Sequence, residues 1–141
     1  MKIIALLALL LLLFFCSMKS KAEPNIYGEP FLIRCTCYTA SEGDITADGS
    51  RVREGIVAGK KDWLGCACVI YENDNGKVGD LIGVYEFKDT GNGIDTDGDG
   101  VGDTIQTGSS IDVYRDSLER CYAWIGDYGD YVYIQIIPAD G

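Results

Sequence analysis

The sequence has no histidine. That absence removes Ser-His and Cys-His nucleophilic catalysis and histidine-ligated zinc. Acid–base chemistry therefore falls to carboxylates, lysine, tyrosine or cysteine. Positive charge is scarce, with 12 Lys and Arg against 22 Asp and Glu. Three of those lysines (Lys2, Lys19, Lys21) fall in the first 22 residues, which hold no acid, so the remaining 119 residues carry a net −13. Such a chain repels phosphate backbones and anionic lipid, which excludes nucleic acid as a partner and leaves neutral or cationic ligands and metal cations. No apolar run is long enough to span a membrane as a helix: the longest, Ile3 to Phe15, has 13 residues, and about 20 are needed. Hydrophobic residues at 47% and charged residues at 24% describe a globular chain of one domain.

The short apolar run has a different reading. Met1-Lys2 precedes it, and Ser20-Lys21-Ala22 places small residues at the −3 and −1 positions of a cleavage site. Residues 1–22 read as a secretory signal peptide cleaved after Ala22, followed by a lead-in over 23–30. Lipid attachment at Cys16 is the rival, but Phe14-Phe15 is bulky where lipoprotein processing prefers small residues. The expectation is a secreted or cell-envelope protein, monomeric, with no stable membrane span after cleavage.

Five cysteines remain after Cys16, four of them in two Cys-x-Cys pairs: Cys35 with Cys37, and Cys66 with Cys68. On a strand, i and i+2 share a face and lie about 6–7 Å apart. That is too wide for both sulfurs to reach one zinc at about 2.3 Å each. Two readings stay open: cross-strand disulfides between the pairs, or small buried apolar residues. Cys121 falls on the apolar face of a helix and reads as a buried free thiol.

Periodicity places strands at Phe31–Thr39, Ile56–Ala58, Ala67–Tyr71, Ile82–Phe87, Ser110–Tyr114 and Tyr131–Ile137, with a turn at Asn73–Gly76. One helix follows a cap at Asp116 or Ser117, with Leu118, Cys121, Tyr122 and Ile125 as its apolar face and Gly126 as its stop. Six short strands and one helix predict a mainly β domain closed into a small barrel, since closure removes exposed edges.

Two acids stand out. Asp89 sits where the strand Val84–Lys88 breaks into Asp89-Thr90-Gly91, and Asp112 lies between Ile111 and Val113. If both line one cleft, desolvation and like charge raise one pKa. A carboxyl that stays protonated can donate to a leaving oxygen, as glycan cleavage requires. The bland readings are a turn aspartate at 89 and a backbone-bonded aspartate at 112.

Taken together, Cys35-Thr36-Cys37-Tyr38-Thr39, Thr46-Ala47-Asp48-Gly49, Leu64-Gly65, Asp89-Thr90-Gly91 and Ile111-Asp112-Val113-Tyr114 resemble the three-aspartate (3D) domain of bacterial exported proteins. That domain is similar to the catalytic barrel of membrane-bound lytic transglycosylase A. The resemblance runs from Cys35 to about Ile137. It implies a six-stranded double-psi β-barrel with one short helix over 31–141 and lytic cleavage of peptidoglycan glycan strands. It implies Asp89 and Asp112 as catalytic residues, with no cofactor required. Tyr38, Thr39, Thr46, Thr90 and Gly91 are the candidate substrate contacts. The family's first aspartate, in an Ala-hydrophobic-Asp-Pro segment, has no match. The stretch Ala58-Gly59-Lys60-Lys61-Asp62-Trp63 is shorter and carries lysine there, with Asp62 a few residues on. A non-catalytic wall-binding module on the same barrel is the alternative. Asp-Thr-Gly is also the signature of aspartic proteases, which gives a third reading.

Residues 92–104 form an Asp/Gly-rich insert. Within it, Asp95, Asp97, Asp99 and Asp103 match positions 1, 3, 5 and 9 of a calcium loop. Hard cations take oxygens at that spacing. Gln106 stands where an EF-hand would have its bidentate glutamate. The alternatives are bound Ca2+ and a solvated acidic loop.

Overall fold

A computed structural model describes residues 28–41 and 43–139. The expected leader and Cys16 lie outside the described residues. Among those residues no helix is long and apolar enough to cross a membrane. Among the described residues the elements are β1 (Phe31–Tyr38), β2 (Ile56–Ala58), β3 (Ala67–Asp74), β4 (Lys77–Asp89), β5 (Ser110–Tyr114), the α-helix α1 (Leu118–Tyr128) and β6 (Tyr131–Ile137). A 3-10 turn covers Lys61–Trp63.

The strands pair in a closed ring in the order β1-β5-β2-β4-β3-β6. β1 with β5 and β2 with β4 are parallel, and the other four pairings are antiparallel. Residues 39–55 and 90–109 are the two long connections; they join β1 to β2 and β4 to β5, each passing over one intervening strand of the ring. The β3–β4 pair is a hairpin closed by Asn75 (φ 51°) and Gly76 (φ 84°), the left-handed pair that a two-residue turn needs.

The ring is filled by alternation. On β6, Val132, Ile134 and Ile136 are fully buried, whereas Tyr131 and Ile137 are exposed. These side chains meet Ile33, Cys35, Val57, Cys68, Ile70, Phe87, Ile111 and Val113 in one core, with Trp63 and Trp124 in the same cluster. Phe87 is completely enclosed and its ring sits 5.4 Å from Trp63.

The helix departs from expectation in two ways. Its buried positions are Cys121 and Trp124, with Ile125 and Tyr128 packed beside them, while Leu118 and Tyr122 are exposed. The 3.6-residue stripe is the one expected, shifted three residues along, because Trp124 and Tyr128 reach the core aromatics: Trp124 stacks edge-on against Tyr85 and Tyr128. Gly126 does not end the helix. Gly129 does, with φ 74° and its N–H on the Ile125 carbonyl, the left-handed stop glycine permits. Ser117 caps the other end, its hydroxyl accepting from the Arg120 N–H.

None of the described cysteines is bridged; Cys35, Cys68 and Cys121 are buried, and Cys37 and Cys66 are half-buried. The cross-strand pairing between the two Cys-x-Cys motifs is not made. β6 lies between β1 and β3 in the ring, so the motifs never occupy adjacent strands. Burial pushes the Cys35 thiol up to about 12, the behaviour of a small core residue.

Candidate active site

The three-residue strand β2 organises the site. Ala58 pairs on one side with Asp112 of β5 and on the other with Asp89 of β4. Two acids 23 residues apart in sequence thus flank one alanine, their backbones two strand spacings apart, about 9.5 Å. A bulge between Val57 and Ala58 shifts the β4 register by one residue and sets Asp89 opposite Ala58. Gly59 makes this possible: its N–H donates to the Asp89 carbonyl (3.1 Å), and a Cβ there would run into the Phe87 ring.

The two carboxyls have different surroundings. Asp89 accepts three hydrogen bonds: from the Tyr38 hydroxyl to Oδ2 (2.8 Å), and from the N–H groups of Ala47 and Thr90 to Oδ1 (3.0 Å each). Among the described residues Asp112 accepts one, from the Thr36 hydroxyl (3.0 Å). Burial pushes the Asp112 carboxyl up to about 6; the Thr36 hydrogen bond opposes the rise and the charge of Asp89 adds to it. Burial, with the Asp89 hydrogen bond next, also pushes the Tyr38 hydroxyl well above its usual range, so Tyr38 stays a proton donor. Its ring packs edge-on against Tyr114 at 5.5 Å.

The long connection 39–55 reaches this site through its turn. Thr46 is buried; its hydroxyl donates to Asp48 Oδ1 (2.7 Å) and lies 3.0 Å from the Ser50 hydroxyl. Gly49 (φ 85°) closes the turn onto the Thr46 carbonyl. The result aims the Ala47 N–H at Asp89, and Asp48 ties the turn to β4 through Lys88 (3.1 Å). Thr46 thus locks the turn without bonding to either acid. Thr39 is exposed just beyond β1. The Thr90 hydroxyl donates to the Gly59 carbonyl (2.8 Å), and Gln106 Nε2 donates both to the Thr90 hydroxyl (2.7 Å) and to the Gly91 carbonyl (2.6 Å). Asp62 is exposed on the 3-10 turn, 3.5 Å from Lys60, and bonds to neither acid.

Sequence reasoning missed Thr36, Ala58 and Gln106 as parts of this site. Thr36 had a signal, because in a Cys-Thr-Cys-Tyr strand the alternation puts Thr36 and Tyr38 on one face. Ala58 and Gln106 had none, since only strand pairing and loop closure bring them in.

A separate cleft of about 180 Å3 lies against α1, lined among others by Tyr85, Arg115, Arg120, Trp124 and Tyr128. It contains neither acid. Both arginines there are ion-paired, with Glu54 at 3.3 Å each and Arg120 also with Asp116 at 2.9 Å.

In the insert, carboxylate oxygens of Asp95, Asp97 and Asp99 lie within 4.8 Å of one another, all exposed. Asp103 is turned elsewhere: it accepts from the Thr96 hydroxyl and N–H. Asp95 is held below its usual range by the Gly100 N–H first and the Gly98 N–H second.

No family model matches this chain, and no curated protein or solved structure matches it either.

Proposed function

We propose that this is an exported protein acting on peptidoglycan glycan strands, a lytic transglycosylase-like enzyme on a double-psi version of the closed ring. The observation that carries this reading is the Asp112–Ala58–Asp89 register, with one carboxyl raised to about 6 and the other held by three donors. Environments that push two carboxyls apart assign acid and partner. Asp112 is the acid. It protonates the oxygen linking N-acetylmuramic acid to N-acetylglucosamine, and the C1–O bond breaks as positive charge develops at C1. The Asp89 carboxylate stabilises that charge. Asp112, now a base, takes the proton of the muramoyl 6-hydroxyl, whose oxygen bonds C1 and closes a 1,6-anhydro ring. No water is consumed. Asp112 regains its proton and is ready for a second turnover. Thr36 and Tyr38 hold the two acids, and the Thr90-Gly91 turn with Gln106 forms the adjoining rim.

The test is muropeptide analysis of purified peptidoglycan digested by the wild type, Asp89→Asn and Asp112→Asn. Anhydro-muropeptides are expected from the wild type alone. No release between pH 4 and 8 from folded wild type, with retained binding to the wall, would establish the second reading: a non-catalytic wall-binding module. One observation favours that module, namely lysine in place of the first family aspartate, with the exposed Asp62 facing Lys60. Acid-optimum peptidase activity lost in Asp89→Ala, with glycan intact, would move the assignment to an aspartic protease.

Asp95, Asp97 and Asp99 are the residues that would hold Ca2+, which would order the rim between the two acids without entering the chemistry. Asp103 would have to release Thr96 to join them.

A further inference from the structure

The acid chemistry leaves the cysteines unused, and two of them meet. Cys37 is the penultimate residue of β1, and Cys121 is in the first turn and a half of α1. α1 packs against β1 and brings the Cys121 thiol next to that of Cys37. Cys121 is almost fully enclosed, at 3% exposure, while Cys37 keeps partial access to solvent. A second contact fixes the same geometry. Trp124, one turn on from Cys121, lies beside Cys35, one pleat back from Cys37. Three helical residues span about 4.5 Å and two strand residues about 6.6 Å. The helix therefore runs antiparallel along the inner face of β1, with sulfur set against sulfur. A disulfide needs Cβ atoms about 3.5–4.5 Å apart, a separation within reach of neighbouring side chains on two packed elements.

We propose that Cys37 and Cys121 form a disulfide that staples α1 to β1 directly behind the acid pair. The oxidant is an external disulfide, small-molecule or protein-borne. The thiolate of Cys37, the more accessible of the two, attacks it and displaces one thiolate, giving a mixed disulfide. The Cys121 thiolate then attacks the Cys37 sulfur and displaces the second. Two protons and two electrons pass to the oxidant, which leaves as two thiols. Burial, with Cys121 next, pushes the Cys37 thiol well above its usual range, so the uncatalysed exchange is slow at neutral pH and accelerates with alkalinity. In the cell, an oxidising compartment follows from the export proposed above; the chemistry in vitro does not depend on it.

The site gives the staple its consequence. Cys37 stands between Thr36, which holds Asp112, and Tyr38, which holds Asp89. Alternation points Cys37 inward and those two outward, so a crosslink at Cys37 clamps from behind the strand that carries both hydroxyl donors.

The experiment incubates the purified chain with oxidised glutathione, alkylates the remaining thiols and maps tryptic peptides. The expected product joins residues 35–51 to 121–141 with the loss of two hydrogens, leaving Cys66 and Cys68 alkylated. Because 35–51 also carries Cys35, fragmentation of the joined peptide must place the link on Cys37, which needs no variant. The link should persist in Cys35→Ser and vanish in Cys37→Ser, and oxidation should raise the thermal midpoint of the wild type but not of Cys121→Ser. A folded chain whose five cysteines all remain alkylatable, or a link placed on Cys35, Cys66 or Cys68, overturns the proposal. Neither outcome bears on anhydro-muropeptide release, so the staple and the enzyme can fail separately.

Discussion

The chain has two clusters of aspartate, and they differ in nearly every respect except the residue. Asp89 and Asp112 stand in register across Ala58, half-buried on strands, with Asp112 raised to about 6. Asp95, Asp97 and Asp99 stand in a loop, exposed, with Asp95 held low by backbone N–H groups. Desolvation favours the neutral carboxyl and N–H donors favour the charged one. The first environment makes a proton donor near neutrality; the second favours the charged form of Asp95. Sequence proximity says nothing of this difference, because the paired acids are far apart in the chain and the loop acids are nearly adjacent.

The largest expected effect breaks the first cluster. Asp112→Asn removes the acid and should lower anhydro-muropeptide release by about 10²–10⁴-fold, the range of general acid catalysis, as read by product chromatography. In the wild type the rate should fall as pH rises past about 6, because the protonated fraction falls. The same substitution should stabilise the fold, by an amount that depends on pH. Folded Asp112 titrates near 6 and unfolded Asp near 3.8, so between those values the folded state holds the extra proton and stability drops with rising pH. Below about pH 4 both states are protonated and the asparagine gains nothing. Above about 6 it should gain up to ~3 kcal/mol, read as a rise in the urea midpoint. A variant that is inactive and less stable at pH 8 would refute the desolvated-acid account.

Two substitutions act on one acid each. Gly59→Ala should cost about 1–3 kcal/mol by overpacking, since the new Cβ meets Phe87. Because Gly59 bonds the Asp89 carbonyl and accepts from Thr90, turnover should fall beyond what unfolding explains, as measured at a temperature where the variant is folded. Thr36→Val deletes the one hydrogen bond that holds Asp112 down. It should cost about 1 kcal/mol and move the alkaline limb of the activity profile upward; a limb that moves down would show that Thr36 does not act through Asp112.

Much of the ring could be read from the chain. β1, β2, β5 and β6 carry dense apolar or aromatic alternation, and each was expected within a residue or so of where it lies. β4 is longer than its pattern because Gly79 and Gly83 read as breaks, yet both fit within the hairpin with β3. The helix face slipped because Leu118 is apolar but exposed, while the core selects aromatic rings at 124 and 128. Asp89 and Asp112 were visible as unusual acids. What joined them was not: a three-residue strand contributes one alanine, and its register depends on a bulge that no local propensity encodes. Tyr38 was visible as a ring suited to sugar, but its bond to Asp89 depends on the β1–β5 pairing. Spacing could not choose between the two readings of the cysteines for the same reason, since it says nothing of which strand lies between the two motifs.

The smallest effect concerns the loop cluster, and it sharpens the contrast. Asp95 takes its backbone donors from Gly98 and Gly100, so its lowered pKa needs no cation. Asp95→Asn should therefore leave the thermal midpoint nearly unmoved in chelator. Added calcium should raise the wild-type midpoint if three converging carboxylates and further oxygens capture the ion, and Asp95→Asn should lose that response. The two clusters then separate by ligand: protons govern the strand pair, calcium the loop. If calcium moves neither the midpoint nor the rate of glycan release, the loop is a solvated acidic segment, and its three aspartates lie together only because tight Gly/Asp turns fold them so.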